Sequence, residues 1–208
     1  MTDGDSLQAQ ARRAGLLFFA VEVGYVASLI ASTSGPDVLH RPAVALQVVA
    51  SAATIAVAWA FYEMLKHVNQ TLASMALLFR VAEAALFGVY AVFSLLLLGA
   101  AASGPVGPDT ALAVARQAQS ALGQVGQVYF SGGSAIFFYL LQRSGIISSA
   151  VAVFGLLATL AGLASALAEI GAPAIAKYMA LSGPLQLLAA VTTGIALLVA
   201  GSRRQTVG

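Results

Sequence analysis

Long apolar stretches alternate with short polar or Gly/Pro-rich breaks along the chain, and the spacing of the breaks predicts an all-α bundle of six membrane-crossing helices. Residues 1–13, MTDGDSLQAQARR, are polar and read as a tail ending in Arg12 and Arg13. The apolar stretch from Ala14 to Thr33 is about 20 residues, enough for one crossing and longer than the apolar region of a cleaved signal peptide. Ser34 to Pro42, SGPDVLHRP, is a break because its prolines deny helix continuation. A second helix is expected from about Ala43 to Leu65, leaving the membrane through Trp59, Phe61 and Tyr62 into Glu63, Lys66 and His67.

Val68 to Thr71 is a short turn, so a third helix, about Leu72 to Ala101, should run back against the second. Its roughly 30 residues would extend ~45 Å, more than the ~30 Å hydrocarbon core, so it must tilt or protrude. After SGPVGPD at Ser103 to Asp109, Thr110 to Ser120 reads as an interfacial lead-in to a fourth helix over 121–141. A fifth, over 147–167, is rich in small residues. The sixth, over 175–200, follows Gly171, Ala172 and Pro173 and is expected to kink at Pro184. The membrane domain then covers residues 14–201, with 202–208 a second tail.

Polar residues inside these stretches fall on single helical faces. On the third helix Arg80, Glu83, Phe87, Tyr90 and Ser94 step by three or four residues. On the fourth the same test gives Gln124, Gln127, Ser131, Ser134 and Phe138. The second offers Gln47, Ser51, Thr54 and Ala58; the fifth Thr159, Gly162, Ala166 and Glu169; the sixth Ser182, Gln186 and Thr193. Glycines seven apart, Gly126 with Gly133 and Gly155 with Gly162, read as close-packing positions.

The run LLFRVAEAALF, Leu77 to Phe87, is the strongest anomaly. Centring an arginine or an acid in a membrane helix costs roughly 2.5 to 3.5 kcal/mol, so Arg80 and Glu83 should face the bundle interior or a water-filled cavity. At i, i+3 they can pair directly. Glu22 lies at a similar depth, roughly 12 Å from the same end of its own helix. One arginine with two carboxylates would carry a net negative charge when fully ionised, so a protonatable group is expected there.

Composition sharpens the class and removes chemistry from it. At 60% hydrophobic and 9% charged residues the chain is far from a soluble domain. Its ten basic residues are scattered and form no stripe for phosphates, so nucleic acid is not a partner and the lipid bilayer is. There is no cysteine, and the two histidines lie outside the apolar stretches, so thiolate chemistry, iron–sulfur clusters and bis-imidazole haem are not supported; no metal or cofactor is expected. Catalytic templates are missing as well: no HExxH, no intramembrane aspartate pair, no serine placed with a membrane histidine or lysine. With six spans, one side carries Arg12, Arg13, Lys66, Arg143, Arg203 and Arg204 and the other Arg41, Arg116 and Lys177, which puts both termini in the cytoplasm. The ends of the second and fourth helices, AFYEMLKH and FFYLLQRS, share a Tyr-to-cation spacing, a faint sign of a duplicated hairpin.

Three function classes fit. The first is binding or transport of a small hydrophobic, amphipathic or proton-coupled ligand at Arg80, Glu83, Glu22, Tyr90 and the Gln124, Gln127, Ser131, Ser134 stripe. The second is a non-catalytic membrane partner, homo-oligomer or assembly protein whose ion pair is structural. An intramembrane enzyme ranks last for want of a nucleophile or metal set.

The runs FYEMLKHVNQTLASMALLFRVAEAAL, SGGSAIFFYLLQRSGIISSAVAVFGLLATLAG and GPLQLLAAVTTGIALLVAG together resemble the prokaryotic membrane family catalogued as domain of unknown function 4386. The most specific piece is FR-x-x-E at Phe79, Arg80 and Glu83, followed by Gly133, Ser134, Phe137, Phe138 and Tyr139. The resemblance implies a six-helix protein of a prokaryotic inner membrane and no particular activity. Where such proteins commonly carry an acid and a late tryptophan in the last helix, this sequence has Gln186 and no tryptophan.

Overall fold

Hydrocarbon offers no water to backbone N–H and C=O groups, so a chain this apolar has to close its hydrogen bonds within helices. The computed structural model describes residues 3–33, 40–102, 109–176 and 181–202, and the elements in them are all α-helical. They are α1 (Asp3–Thr33), α2 (His40–Leu65), α3 (Gln70–Ala102), α4 (Asp109–Ser144), α5 (Ser149–Gly171), the single turn α6 (Pro173–Ala176) and α7 (Ser182–Ser202). Within α2, α3, α5 and α7 lie four segments long and apolar enough to cross a membrane, His40–Leu65, Gln70–Ala100, Ser149–Gly171 and Ser182–Gly201. Their outward faces carry large exposed apolar side chains, among them Val49, Trp59, Leu78, Leu96, Leu157 and Leu188. In water such a surface would aggregate; in lipid it is solvated, and the chain is a membrane protein.

The long helices form a closed ring in chain order. α1 packs on α2, α2 on α3, α3 on α4, α4 on α5, α5 on α7, and α7 returns to α1. Neighbours run antiparallel. In the α1–α2 pair Phe18 meets Phe61 at 5.6 Å between centroids, whereas further along α1 Tyr25 bonds Ser51, at an earlier point of α2. At the seam Gly15 lies against Leu197 and Gly194 against Phe19, so the first helix and the last run in opposite directions. α2 also touches α4 across the ring, through Phe61 and Phe137 at 5.2 Å. The main apolar core, with Met64, Leu65, Phe137, Phe138, Leu140, Leu141 and Leu197, occupies the end of the bundle where α2 and α4 finish and α3 and α5 begin.

Helix ends follow local chemistry. The tail predicted for residues 1–13 is helical from Asp3, because QAQARRA is made of good helix formers and nothing breaks it before Ala14. Asn69 Oδ1 accepts from Leu72 N at 3.0 Å and starts α3; Ser148 Oγ accepts from Val151 N at 3.4 Å and caps α5. The lead-in 110–120 is continuous with α4, which therefore reaches 36 residues. Pro184 corrects the expected kink: it sits in the first turn of α7, where its missing N–H belongs to the unpaired set at any helix start. Arg143 over Tyr139 at 5.7 Å and Lys66 over Tyr62 at 5.8 Å repeat one contact at two helix exits. Lys177, Arg203, Arg204 and most of the loops Ser34–Pro42 and Ser103–Asp109 lie outside the described residues.

The α3–α4 interface is an antiparallel series of aromatic rings against glycines. Tyr90 faces Gly123, Phe87 faces Gly126, and Phe79 faces Gly132 and Gly133. The α4–α5 interface uses the same device, since a Cβ on Gly155 would fall within the ring of Phe138. Gly155→Ala is therefore expected to destabilise the detergent-solubilised protein by about 1–3 kcal/mol through overpacking, whereas Gly88→Ala, inside α3 with open space around its site, should leave the melting temperature unchanged or slightly raised; thermal unfolding of both variants checks this.

Candidate functional site

Arg80 and Glu83 are adjacent on one face of α3 because residues three apart in a helix are neighbours. Arg80 Nη1 lies 2.7 Å from Glu83 Oε2, and the side chains are 4% and 1% exposed. The pair is buried within the ring, as two charges in an apolar run demand. Arg80 Nη1 also donates to Ser134 Oγ on α4 at 3.3 Å, and the guanidinium lies 4.7 Å from the centroid of Phe130. Glu83 Oε2 has no hydrogen-bond partner: the contact with Arg80 is short but is not aligned as a hydrogen bond. The carboxylate is thus held by charge attraction and by little directional bonding.

Glu22 on α1 is half-buried and interacts electrostatically with both Arg80 and Glu83, though among the described residues it forms no ion pair within 4.0 Å. One turn further along, Tyr25 turns its hydroxyl to Ser51 Oγ on α2 at 3.1 Å and its ring to Phe87 of α3 at 6.2 Å. Glu22 is therefore brought near the pair, as its depth suggested, without closing a three-membered salt bridge.

A second polar cluster lies further along α4. Gln127 Nε2 donates to Gln186 Oε1 on α7 at 2.8 Å and to Ser131 Oγ at 3.3 Å, and Gln186 Nε2 donates to Ser131 Oγ at 3.2 Å. Gly162 of α5 makes this possible, for a Cβ there would overlap the Gln186 amide. The predicted stripe on α4 therefore splits, with Ser134 serving Arg80, and Gln127 and Ser131 serving α7. Gln124 is half-buried and makes no side-chain hydrogen bond among the described residues. Tyr90, about 15 Å along the helix from Arg80 at 1.5 Å per residue, packs on Gly123 and edge-on to Phe87 at 6.2 Å. Both lie apart from the ion pair.

Between Arg80 and the apolar end is a cavity of about 30 Å³, lined by Phe18, Val57, Phe61, Arg80, Ser134, Phe137 and Thr193, with Ala58, Phe138 and Leu141. Thr193 and Gln186 were visible in the sequence as a polar face of the last helix, and Thr193 turns out to share a cavity wall with Arg80. Phe130 is the residue that sequence reasoning missed, because an aromatic in a membrane helix looks like any other lipid-facing ring. Among the described residues no cluster of His, Cys, Asp or Glu could hold a metal.

The model of the family described as a domain of unknown function (DUF4386) matches residues 13–201, and the chain belongs to that family. No curated protein and no solved structure matches the chain.

The geometry distinguishes breaking the pair from replacing it. Glu83→Gln is expected to cost about 3–5 kcal/mol by leaving Arg80 charged and unpaired, whereas the double change Arg80→Met with Glu83→Met should recover most of that stability. Chemical or thermal unfolding in detergent measures both. Gly162→Ala should cost about 1–3 kcal/mol by pushing Gln186 away from Ser131 and Gln127, and Gly162→Ala combined with Gln186→Ala should cost less than the two changes added together.

Proposed function

We propose that this DUF4386 member is a six-span protein of a prokaryotic inner membrane, both termini cytoplasmic, that binds or transports a small amphipathic or proton-coupled ligand at the Arg80–Glu83 pair. The orientation rests on the basic residues: Arg12, Arg13, Lys66, Arg143, Arg203 and Arg204 fall on the terminal side of a six-span topology, against Arg41, Arg116 and Lys177. α1 and α4 supply the fifth and sixth spans; they are 31 and 36 residues long, and they carry Glu22 and the glutamine–serine stripe.

One observation carries the binding reading. A site kept for packing alone should have its buried polar atoms satisfied, yet Thr193 Oγ1, in the wall of the cavity beside Arg80, has no hydrogen-bond partner, and Glu83 Oε2 is held by the ion pair with Arg80 alone. Arg80 supplies the charge for an anionic head group, the surrounding phenylalanines supply apolar surface, and Glu83 with Glu22 supplies a carboxyl able to exchange a proton. The cavity of about 30 Å³ is far below the ~300–1,000 Å³ of drug-sized pockets, so an amphipathic ligand would enter a more open form. That small volume is also what favours the second reading, a non-catalytic membrane partner in which the pair fixes helix register.

A thermal-shift screen of amphipathic carboxylates and amines separates the two. Under the binding reading, a compound at about 100 times its Kd raises wild-type stability by about 2.7 kcal/mol and leaves Arg80→Ala and Glu83→Gln unmoved. Equal stabilisation of both variants would remove the site from consideration. Topology is checked independently: alkaline phosphatase fused after Pro105 should be active and a fusion after Gly208 inactive.

A further inference from the structure

Threonines in membrane helices ordinarily return their hydroxyl proton to a carbonyl one turn back. Thr54 donates to Ala50 O at 3.1 Å, Thr159 to Gly155 O at 2.9 Å, and Thr192 to Leu188 O at 2.8 Å. Thr193, the residue after Thr192, does not follow them. It is 1% exposed, its Oγ1 has no hydrogen-bond partner, and it lines the cavity that also holds Arg80 and Ser134.

We propose that this cavity is a binding site for an internal water molecule, held by Arg80, Ser134 and Thr193, that joins α3, α4 and α7. The volume is sufficient. A cavity needs roughly 10–15 Å³ to take one water, and this one has about 30 Å³. The polar partners are sufficient too. Nη1 is the guanidinium nitrogen engaged with Glu83 and Ser134, so of the five N–H donors of an arginine others remain for a water oxygen. Ser134 Oγ accepts from Arg80 and keeps its own proton to donate. Thr193 Oγ1 accepts from the water. The walls otherwise consist of Phe18, Val57, Phe61, Phe137 and their neighbours, which offer a water no hydrogen bond, so Arg80, Ser134 and Thr193 are the polar groups in the wall that can hold it.

The water would give the ion pair its polar link to α7, since the Gln127–Ser131–Gln186 cluster joins α4 to α7 without touching Arg80. This inference rests on the same site as the binding reading and deepens it, because the water is the occupant an incoming ligand would displace. The two fail separately: a hydrated cavity with no compound stabilising the protein leaves the water and removes the ligand.

X-ray hydroxyl-radical footprinting of the full chain in lipid nanodiscs tests it, because radicals formed from a bound water oxidise the side chains beside it. Phe137 is only 6% exposed, and Leu140, fully buried and outside the cavity wall, is the internal control. With each rate divided by the intrinsic radical reactivity of its residue type, the expected result is oxidation of Phe137 several-fold faster than that of Leu140, with Thr193→Val lowering the Phe137 rate toward the control and Thr193→Ser preserving it. Equal normalised rates for Phe137 and Leu140 in the wild type would overturn the proposal without recourse to any variant. A Thr193→Val melting temperature equal to or above that of the wild type would also count against it, since removing a hydroxyl from a dry cavity relieves an unpaired group, whereas removing it from a water bridge does not.

Discussion

Opposite charges one turn apart on a membrane helix set the terms for everything packed around them. Arg80 and Glu83 cannot face lipid, so α3 must keep one face covered, and the cover comes from α4 on one side and from α1 and α2 on the other. The α3–α4 interface is built for close approach: rings on α3 lie against glycines on α4, which brings Ser134 within reach of the guanidinium and Phe130 over it. Small residues serve here as the means by which a charged pair is given walls.

The bundle is uneven along its axis. Where α2 and α4 end it is a dense apolar core of phenylalanine, leucine and methionine, and the ion pair lies just beyond that core. Past the pair the interior turns polar, with Tyr25 bonded to Ser51, Gln127 and Gln186 sharing Ser131, and Gln119 donating to Ser94 at 2.6 Å. The charges therefore sit at the boundary between a region of dense apolar packing and one lined with hydrogen-bonding groups. At such a boundary the dielectric changes over a few ångströms, and any change in the charge of Glu22 or Glu83 acts on helices from both regions.

Much of the fold was legible because hydrophobic runs and Gly/Pro breaks are strong local signals. Placement of α2 to α5 differs from the expectation by a few residues at most ends, and the faces holding Ser51 and Thr54, Thr159 and Gly162, and Gln186 and Thr193 are buried as helical spacing requires. What could not be read was rotation and partnership between helices. Ser131 and Ser134 lie on one predicted stripe yet serve different neighbours, and Tyr90 shares a face with Arg80 but lies too far along the helix to join it. Period gives a face; only packing decides which part of a face meets which partner. Pro184 illustrates the same limit, because its effect depends on where α7 begins, and the run before it did not mark that start.

The ring is closed by a contact between its first and last long helices, the seam of α1 with α7, where Gly15 lies against Leu197. Every other neighbour is available as soon as the next hairpin has been made. During synthesis α3 and α4 can therefore wall the charged pair early, but the bundle stays an open crescent until the last helix is inserted, and Thr193 and Gln186 reach the interior only then. The final step of assembly is also the one that brings Thr193 into the wall of the cavity beside Arg80, so a chain stalled before α7 would expose its charged pair sideways to lipid and present a clear mark for quality control.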